Sequence, residues 1–336
     1  MIDGFLGLPV FQWGALFVST DYTMTPFVRF LNICLGLALS MQTSALISEQ
    51  EDVTVKRVSK SGHVLFQSGF EKDVRVDVMD IVGSDGMDWQ SDLEGYENVQ
   101  GFWMYNRGDS SFARIVQDPV DPDNRCLYLQ VDRGNRMQCE LNFTAESDTR
   151  SVDVAFRVLW PDHLANLSQF PGRIHWFTVL EIWEHHRKGE GGDQAGKTRW
   201  TLSFLKDEGV GEPLYWGLTA EGAQPDWHDL WHEENRRTRI PFGRWTDLEI
   251  AYQRGKGEAG RFVLTMQPTG EERQVVFDVR RDTEHPVASM PLRSFQLWKL
   301  YTSKEIVDWM REHHVPISAY FDDFVWRDHP PSDKNR

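Results

Sequence analysis

One short segment of the sequence carries a hydrogen-bonding side chain at every second position. Residues 136–143 read Arg-Met-Gln-Cys-Glu-Leu-Asn-Phe. Because successive side chains of a strand point to opposite faces, a strand here collects the polar groups on one face. These groups are Arg136, Gln138, Glu140 and Asn142. Such a row suits the hydroxyl and carboxylate groups of a saccharide, and an ordinary solvated sheet face is the alternative interpretation.

A second segment combines a carboxylate, an aromatic ring and an imidazole. Residues 177–186 read Phe-Thr-Val-Leu-Glu-Ile-Trp-Glu-His-His. On a strand, Glu181, Trp183 and His185 share one face. Trp183 offers a platform for a sugar ring, and His185 can move protons near neutral pH. A purely structural histidine is the alternative.

A third segment pairs an ammonium group with a phenol. Residues 296–301 read Gln-Leu-Trp-Lys-Leu-Tyr, so a strand places Lys299 and Tyr301 on one face and Gln296 and Trp298 on the other. A positive charge beside a phenol stabilises its phenolate, which makes Tyr301 a candidate base. The alternative is an edge strand whose lysine extends its charge into water.

The elements that must position these groups are short strands. Segments with period-2 alternation are separated by Gly, Pro and Asp clusters, which is typical of a β-sandwich or jelly roll. These segments are 64–66, 127–131, 152–158, 200–204, 248–252, 262–266 and 275–279. With 336 residues and 40% hydrophobic content, the chain can bury a core large enough for one sizeable domain.

One helix is predicted near the C-terminus. The segment Thr302-Ser303-Lys304-Glu305 is typical of a capping box, and Pro316 follows the apolar positions. Those positions are Ile306, Val307, Trp309 and Met310. The helix lies between the predicted strands 295–301 and 319–326, so we expect it on the rim of the sandwich.

The N-terminal residues predict export. Arg29, an apolar run from Phe30 to Met41 and a small-residue exit form the layout of a secretory signal peptide. The run is short for a bilayer span, and a membrane anchor is the alternative. The expected organisation is 1–23 as an upstream extension, 24–45 as signal peptide, 46–62 as linker, 63–328 as β-sandwich and 329–336 as disordered tail. We therefore expect a secreted or periplasmic monomer without a stable membrane span after signal removal.

The net charge limits the partners. A formal charge of -15 and a mean hydropathy of -0.49 give no basic footprint for nucleic acid. The same acidity repels anionic glycans at long range, but a local group of Arg and Lys can overcome it within a Debye length of about 8 Å.

Together, the three polar segments resemble the jelly-roll polysaccharide lyases with the concanavalin A-like fold, which include alginate lyases and heparin lyase I. Those families have an Arg-x-Glu strand, a Gln-Ile-His strand and a late strand with Lys and Tyr. Their counterparts here are 136–142, 181–185, and Lys299 with Tyr301. Segments 65–71, 240–248 and 320–324 are also similar to this superfamily. The resemblance implies an all-β jelly-roll sandwich with one short helix near the C-terminus.

The resemblance also implies β-elimination at a uronic acid of a polysaccharide or oligosaccharide. Arg136 or Gln138 would stabilise the charge developing on the sugar carboxylate. His185 or Tyr301 would remove the C5 proton and Tyr301 would protonate the leaving oxygen, with Lys299 as a further catalytic candidate. The sequence departs from the family at Glu181-Ile182-Trp183, where a carboxylate replaces an amide and would repel a uronate.

Two other functions remain open. A carbohydrate-binding protein without catalysis is compatible with the 14 tryptophans, although a Trp-rich core explains the same count. The binding candidates are Glu140, Asn142, Glu181, Trp183, Trp227 and Trp231. A glycoside hydrolase ranks third, because the laminarinase-like families place two carboxylates on one strand face. Here Glu184 points away from Glu181, so that pair is missing.

A structural Ca²⁺ and a cysteine pair complete the expectations. The superfamily often holds calcium where its terminal strands pair, which implies Glu71 with Asp322 or Asp323 as oxygen ligands. Simple rim carboxylates are the alternative, and no organic cofactor is expected. Cys126 and Cys139 flank a Gly-containing turn and could form a disulfide across a hairpin or remain two buried thiols.

Overall fold

A computed structural model describes most of the predicted domain. The described residues are 63–70, 75–76, 87–88, 99–107, 112–132, 134, 136–143, 151–184, 198–222, 229–284 and 292–328. All of them belong to one compact unit, Lys56–Arg336. The predicted extension, signal peptide, linker and C-terminal tail lie outside the described residues. Among the helices that the structure describes, none combines the length and apolar character needed to cross a bilayer.

Antiparallel strands dominate the described part of the chain. In order they are β1 (His63–Ser68), β2 (Arg75–Val76), β3 (Met87–Asp88), β4 (Val99–Arg107), β5 (Phe112–Gln117), β6 (Arg125–Val131), β7 (Arg136–Phe143), β8 (Ser151–Leu159), β9 (Phe177–Glu184), β10 (Thr198–Lys206), β11 (Leu214–Glu221), β12 (Asp229–Asn235), β13 (Thr246–Gln253), β14 (Arg261–Pro268), β15 (Gln274–Val279), β16 (Leu292–Thr302) and β17 (Ile317–Asp328). The helices among the described residues are two 3-10 helices, Asp162–Gln169 and Gly257–Ala259, and one α-helix, α1 (Lys304–Glu312).

The strands form the two layers of a jelly-roll sandwich. One sheet has the order β15-β14-β13-β8-β17-β6-β5, with β1 paired to β17, and the other has the order β12-β11-β10-β9-β16-β7-β4. A separate two-stranded sheet joins β2 and β3. The predicted fold class is therefore confirmed. Each period-2 segment of the sequence analysis lies within a strand, because alternation lets one face of each sheet enter the core.

Large aromatic side chains fill the space between the two sheets. Trp200 and Phe204 of β10 are fully buried, as are Trp216 of β11 and Trp298 of β16, within about 1% exposure. Trp160 contacts Phe204 edge-on at a centroid distance of 5.2 Å. A Trp-rich core thus accounts for much of the tryptophan content, in agreement with the alternative interpretation given above.

The helix α1 connects the two layers, because β16 belongs to one sheet and β17 to the other. Its predicted apolar side packs inward, with Ile306, Val307 and Met310 buried. The N-cap residue of this helix is one position later than in the predicted capping box, which begins at Thr302. Ser303 is the N-cap and accepts a hydrogen bond from the Ile306 N–H at 3.3 Å. Thr302 ends β16 and its hydroxyl donates to the Trp176 carbonyl instead.

Ser303→Ala is expected to lower the free energy of unfolding by about 1 kcal/mol, since it removes the only side-chain acceptor at this helix start in the described structure. Urea denaturation of the two proteins measures the difference. A Ser303→Asp variant keeps an acceptor and should retain the wild-type value. Equal midpoints for the alanine variant and the wild type would contradict the assigned cap.

The expected hairpin between Cys126 and Cys139 is not formed. Cys126 lies on β6 and Cys139 on β7, and these strands belong to different sheets. Cys126 is buried in a small cluster with Leu159 and Trp245. The hairpin prediction was wrong because a turn can also carry the chain from one layer of a sandwich to the other.

Candidate functional site

The three polar segments of the sequence analysis are neighbours in one sheet. β16 lies between β9 and β7, and it pairs with both strands in antiparallel register. The register along β16 shifts between Phe295 and Trp298 against β7, and between Gln296 and Tyr301 against β9. The side chains of Glu181, Trp183, Lys299 and Tyr301 lie on the sheet face turned away from the core, which we call the polar face.

A buried ion pair lies at the centre of the polar face. The Lys299 ammonium contacts Glu181 Oε2, and the two side chains are 0% and 1% exposed. The Trp183 indole N–H donates to the same oxygen at 2.8 Å, which confirms that Glu181 and Trp183 share a face. Arg199 Nη1 on the neighbouring β10 lies 3.4 Å from Glu181 Oε1. Glu181 therefore receives three positively polarised donors.

Burial and the charges of the ion pair shift the pKa values of both Glu181 and Lys299. Burial alone would raise the pKa of Glu181, but the charges of Lys299 and Arg199 and the hydrogen bonds outweigh it and hold the pKa below its ordinary value. Burial lowers the pKa of Lys299 to about 7, with Glu181 opposing the shift and Arg136 adding to it. Glu181 is thus a carboxylate at neutral pH, and the proton of Lys299 is held weakly.

Tyr301 lies next to this pair, between two cations. The Arg136 guanidinium carbon is 3.9 Å from the centroid of the phenol ring, and the Lys299 ammonium is 5.1 Å from it. The Trp176 ring packs against the same phenol at a centroid distance of 4.5 Å. Tyr301 itself is partly exposed. The structure therefore brings Arg136, Lys299 and Tyr301 together, as the sequence analysis expects for its catalytic candidates.

The other predicted site residues are placed only in part. Gln138 pairs in the backbone register with Lys299, Asn142 with Ser294, and Glu140 with Trp103 of β4. His185 and Trp227 lie outside the described residues. Their roles stay predictions.

Trp231 has a different position from the one expected for a sugar platform. Its side chain is 7% exposed within the core cluster, and its indole N–H donates to the Asp282 carbonyl at 2.8 Å. An aromatic ring held between the sheets cannot stack on a ligand from outside, so Trp231 is a core residue here.

The polar face continues over β10, β11 and β12 with residues that the sequence analysis did not select. Arg199 bridges Glu181 and Glu221 through two different nitrogens. Further along, the Thr219 hydroxyl lies 2.8 Å from His232 Nδ1. The strand pattern of β10 contained the signal for Arg199, because a strand with Trp200 and Leu202 facing inward must direct Arg199 outward.

The charges around Tyr301 favour an acidic ligand. Arg136, Lys299 and Arg199 supply three basic groups, against the carboxylates of Glu181 and Glu221 among the described residues. This local excess overcomes the overall acidity of the chain over a distance comparable to the Debye length. The arrangement provides a cation for a substrate carboxylate and a phenol for proton transfer.

The candidate calcium ligands form a separate polar cluster on the other sheet. Asp322 is buried and accepts from the Asn124 amide at 2.8 Å and from the Asp323 N–H at 2.7 Å. Asp323 lies 3.5 Å from Arg157. The described ranges contain no group of three His, Cys, Asp or Glu residues that could hold a metal. Since Glu71 lies outside them, the calcium site stays a prediction.

Asp322 makes folding sensitive to pH. Burial raises its pKa to about 6, from an ordinary value of 3.8. The folded state therefore binds a proton that the unfolded state has released, and the associated stabilisation is lost as the pH rises through about 6.

In Asp322→Asn this titration is absent. We expect the unfolding free energy of the variant, relative to wild type, to increase by roughly 3 kcal/mol between about pH 4 and pH 7. Urea denaturation at both pH values measures it, with the exposed Asp123→Asn as a control that should show no such trend. A difference that does not change with pH would contradict the buried carboxyl.

Comparisons with solved structures find jelly-roll proteins that act on polysaccharides. The chain is similar to a marine PL-14 alginate lyase from Aplysia kurodai, with 13% identity and a TM-score of 0.45 over 76% of this chain and 98% of that chain. It is similar to an endo-β-1,4-glucuronan lyase from the fungus Trichoderma reesei, with 12% identity and a TM-score of 0.42 over 70% and 92%. It is also similar to a GH131 β-glucanase catalytic domain from Podospora anserina, with 12% identity and a TM-score of 0.37 over 80% of this chain and 97% of that chain. These likenesses concern the fold alone. No protein-family model and no curated protein matches the sequence.

Proposed function

We propose that this chain is an exported polysaccharide lyase that cleaves a uronic-acid-containing polysaccharide by β-elimination on the polar face. The observation that carries the proposal is the position of the Tyr301 phenol between Arg136 and Lys299. A proton-transfer group beside fixed positive charge is the minimum that elimination next to a carboxylate requires. Export rests on the signal-peptide pattern of residues 24–45.

The proposed reaction uses the residues as follows. The Arg136 guanidinium binds the carboxylate of the uronic acid and stabilises the negative charge that develops there. The Tyr301 oxygen acts as the base and takes the C5 proton, the bond from C4 to the leaving oxygen breaks, and a double bond forms between C4 and C5. The phenol of Tyr301 then returns the proton to the leaving oxygen. Lys299 lies 5.1 Å from the centroid of the Tyr301 ring and does not contact the sugar, because its side chain is fully buried.

Glu181 does not prevent this binding. A carboxylate at its position was expected to repel a uronate. Its charge is balanced by Lys299 and Arg199, and its side chain is 1% exposed. Arg136 and Arg199 are partly exposed and lie closer to the surface than Glu181, and the departure from the family pattern is therefore compatible with an acidic substrate.

Glycoside hydrolysis is the third candidate, after carbohydrate binding without catalysis. It is favoured by one observation, namely that burial raises the pKa of Glu221 while the pKa of Glu181 is lowered, as expected for an acid and a base. Glu181 is buried beneath its partners, however, and a carboxylate in that state cannot reach a glycosidic bond. Elimination therefore ranks first.

A panel of polysaccharides tests the proposal. The full chain is incubated with alginate, glucuronan, ulvan and heparin while the ultraviolet absorbance of the unsaturated uronide is followed. We expect the absorbance to rise with at least one acidic polymer. New reducing ends without absorbance would indicate hydrolysis, and binding without either product would indicate a carbohydrate-binding protein. Both outcomes would overturn the lyase proposal.

A further inference from the structure

Thr201 of β10 presents its side chain on the polar face. The flanking residues Trp200 and Leu202 are fully buried in the core, and successive side chains of a strand point to opposite faces. In the antiparallel register, Thr201 lies between Glu181 of β9 and Thr219 of β11. Residues directly opposite each other share one face of a sheet. Thr201 therefore lies beside the buried carboxylate at the centre of the polar face.

The Thr201 hydroxyl differs from its neighbours on this face because it has no partner. The hydroxyls of Thr178 and Ser203 are 3.2 Å apart and bond to each other. The Thr219 hydroxyl lies 2.8 Å from His232 Nδ1. Within the part of the chain that the structure describes, no group hydrogen-bonds the Thr201 hydroxyl, although this residue is only 5% exposed. Thr201 is thus more than nine-tenths buried and unpartnered.

Folding does not explain a hydroxyl at this position. A hydroxyl buried without a partner lowers stability, because it gives up water and gains no hydrogen bond. Valine has nearly the same shape, has no polar side-chain atom and is at least as favourable in a strand. The hydroxyl of Thr201 therefore indicates a hydrogen bond to a group from outside the chain.

A saccharide on the polar face brings groups that suit this hydroxyl. Sugar hydroxyls donate and accept hydrogen bonds, as a threonine hydroxyl does. Two strand spacings of about 4.8 Å separate β10 from β16, so Thr201 is roughly 10 Å from the strand of Tyr301. This distance exceeds the width of one sugar ring. A sugar held at Thr201 is therefore a different unit of the ligand from the one at Tyr301.

We propose that Thr201 binds a sugar hydroxyl of the polysaccharide, at a unit other than the uronic acid held by Arg136 and Tyr301. The inference rests on the proposed function for the place of the ligand on the polar face, and it requires no cleavage. The contact is made equally before and during bond breaking, since it is remote from the bond that breaks. The polar face thus recognises a chain of at least two sugars.

Binding to four oligosaccharides tests the proposal. The probes are tetrasaccharides from alginate, glucuronan, ulvan and heparin, and the parent protein is the full chain carrying Tyr301→Phe, so that no probe is cleaved. At least one probe should bind in isothermal titration calorimetry. Adding Thr201→Val should weaken that binding about fivefold, whereas Thr201→Ser keeps a hydroxyl and should stay within about twofold of the parent. Equal affinity with Thr201→Val, or no binding of any probe, would overturn the proposal.

Urea denaturation separates a ligand contact from a structural role. Thr201→Val should have a midpoint equal to or above that of the wild type, because the substitution removes an unpartnered hydroxyl. Thr265→Val on the other sheet is the matched control, since Thr265 is 2% exposed and its hydroxyl accepts from Arg273 at 3.4 Å. This control should bind the probes as the parent does and lose stability. A lower midpoint for Thr201→Val would assign its hydroxyl to folding and refute the ligand contact.

Kinetics in the wild-type background separate this inference from the proposed function. With a polymer that gives unsaturated product, Thr201→Val should raise KM about fivefold and leave kcat within about twofold. A loss of kcat at unchanged KM would place Thr201 at the reacting sugar and overturn the proposal. Weaker probe binding in Thr201→Val, without unsaturated product from the wild type, would leave this contact standing and remove the lyase. Unsaturated product with unchanged probe binding would do the reverse.

Discussion

In Tyr301→Phe, eliminative cleavage is expected to fall by about 10²–10⁴-fold, while polysaccharide affinity stays within about twofold of wild type. The substitution removes the hydroxyl that takes and returns the proton. It keeps the ring, which lies 3.9 Å from the Arg136 guanidinium carbon and 4.5 Å from the Trp176 ring. The rate follows from the absorbance of the unsaturated uronide, and the affinity from calorimetry with an uncleaved oligosaccharide.

A matched variant shows whether the loss is specific to the polar face. Tyr128 is also a partly exposed tyrosine in an aromatic pair, but it lies on β6 of the other sheet, where its hydroxyl donates to Gln130. Tyr128→Phe should retain wild-type turnover. Full activity in Tyr301→Phe would remove this phenol from the mechanism, and a parallel loss of affinity would assign it to binding.

The faces of the strands could be predicted from the sequence, because alternation alone decides which side chains enter the core. Glu181 and Trp183 share a face as expected, and Lys299 and Tyr301 lie opposite to the buried Trp298. The same physical rule made the sandwich class predictable.

The neighbours across strands could not be predicted in this way. The order β9-β16-β7 and the register shifts along β16 are set by packing of the whole sheet. The buried contact between Glu181 and Lys299 therefore could not be predicted from the alternation of side chains within each strand. Trp176 was missed for a related reason. It precedes β9 outside the alternating segment, and only the tertiary fold brings its ring onto Tyr301.

Glu181→Leu is expected to destabilise the protein by about 3–5 kcal/mol near neutral pH. It leaves the fully buried Lys299 ammonium beside Arg136 and Arg199 without its carboxylate partner. The ammonium must then stay charged in an apolar site or lose its proton. Since deprotonation becomes easier as the pH rises, the loss should be about 1 kcal/mol larger at pH 6 than at pH 8. Urea denaturation at both pH values gives these differences.

The double variant Glu181→Leu with Lys299→Met distinguishes a broken ion pair from lost packing. Replacing both partners by apolar groups of similar volume removes the uncompensated charge, so most of the stability should return, and its dependence on pH between these values should weaken. Arg199 keeps its contact with Glu221 in both variants. If the double variant were as unstable as the single one, the loss would come from packing around Glu181, and the ion pair would not be what maintains this part of the polar face.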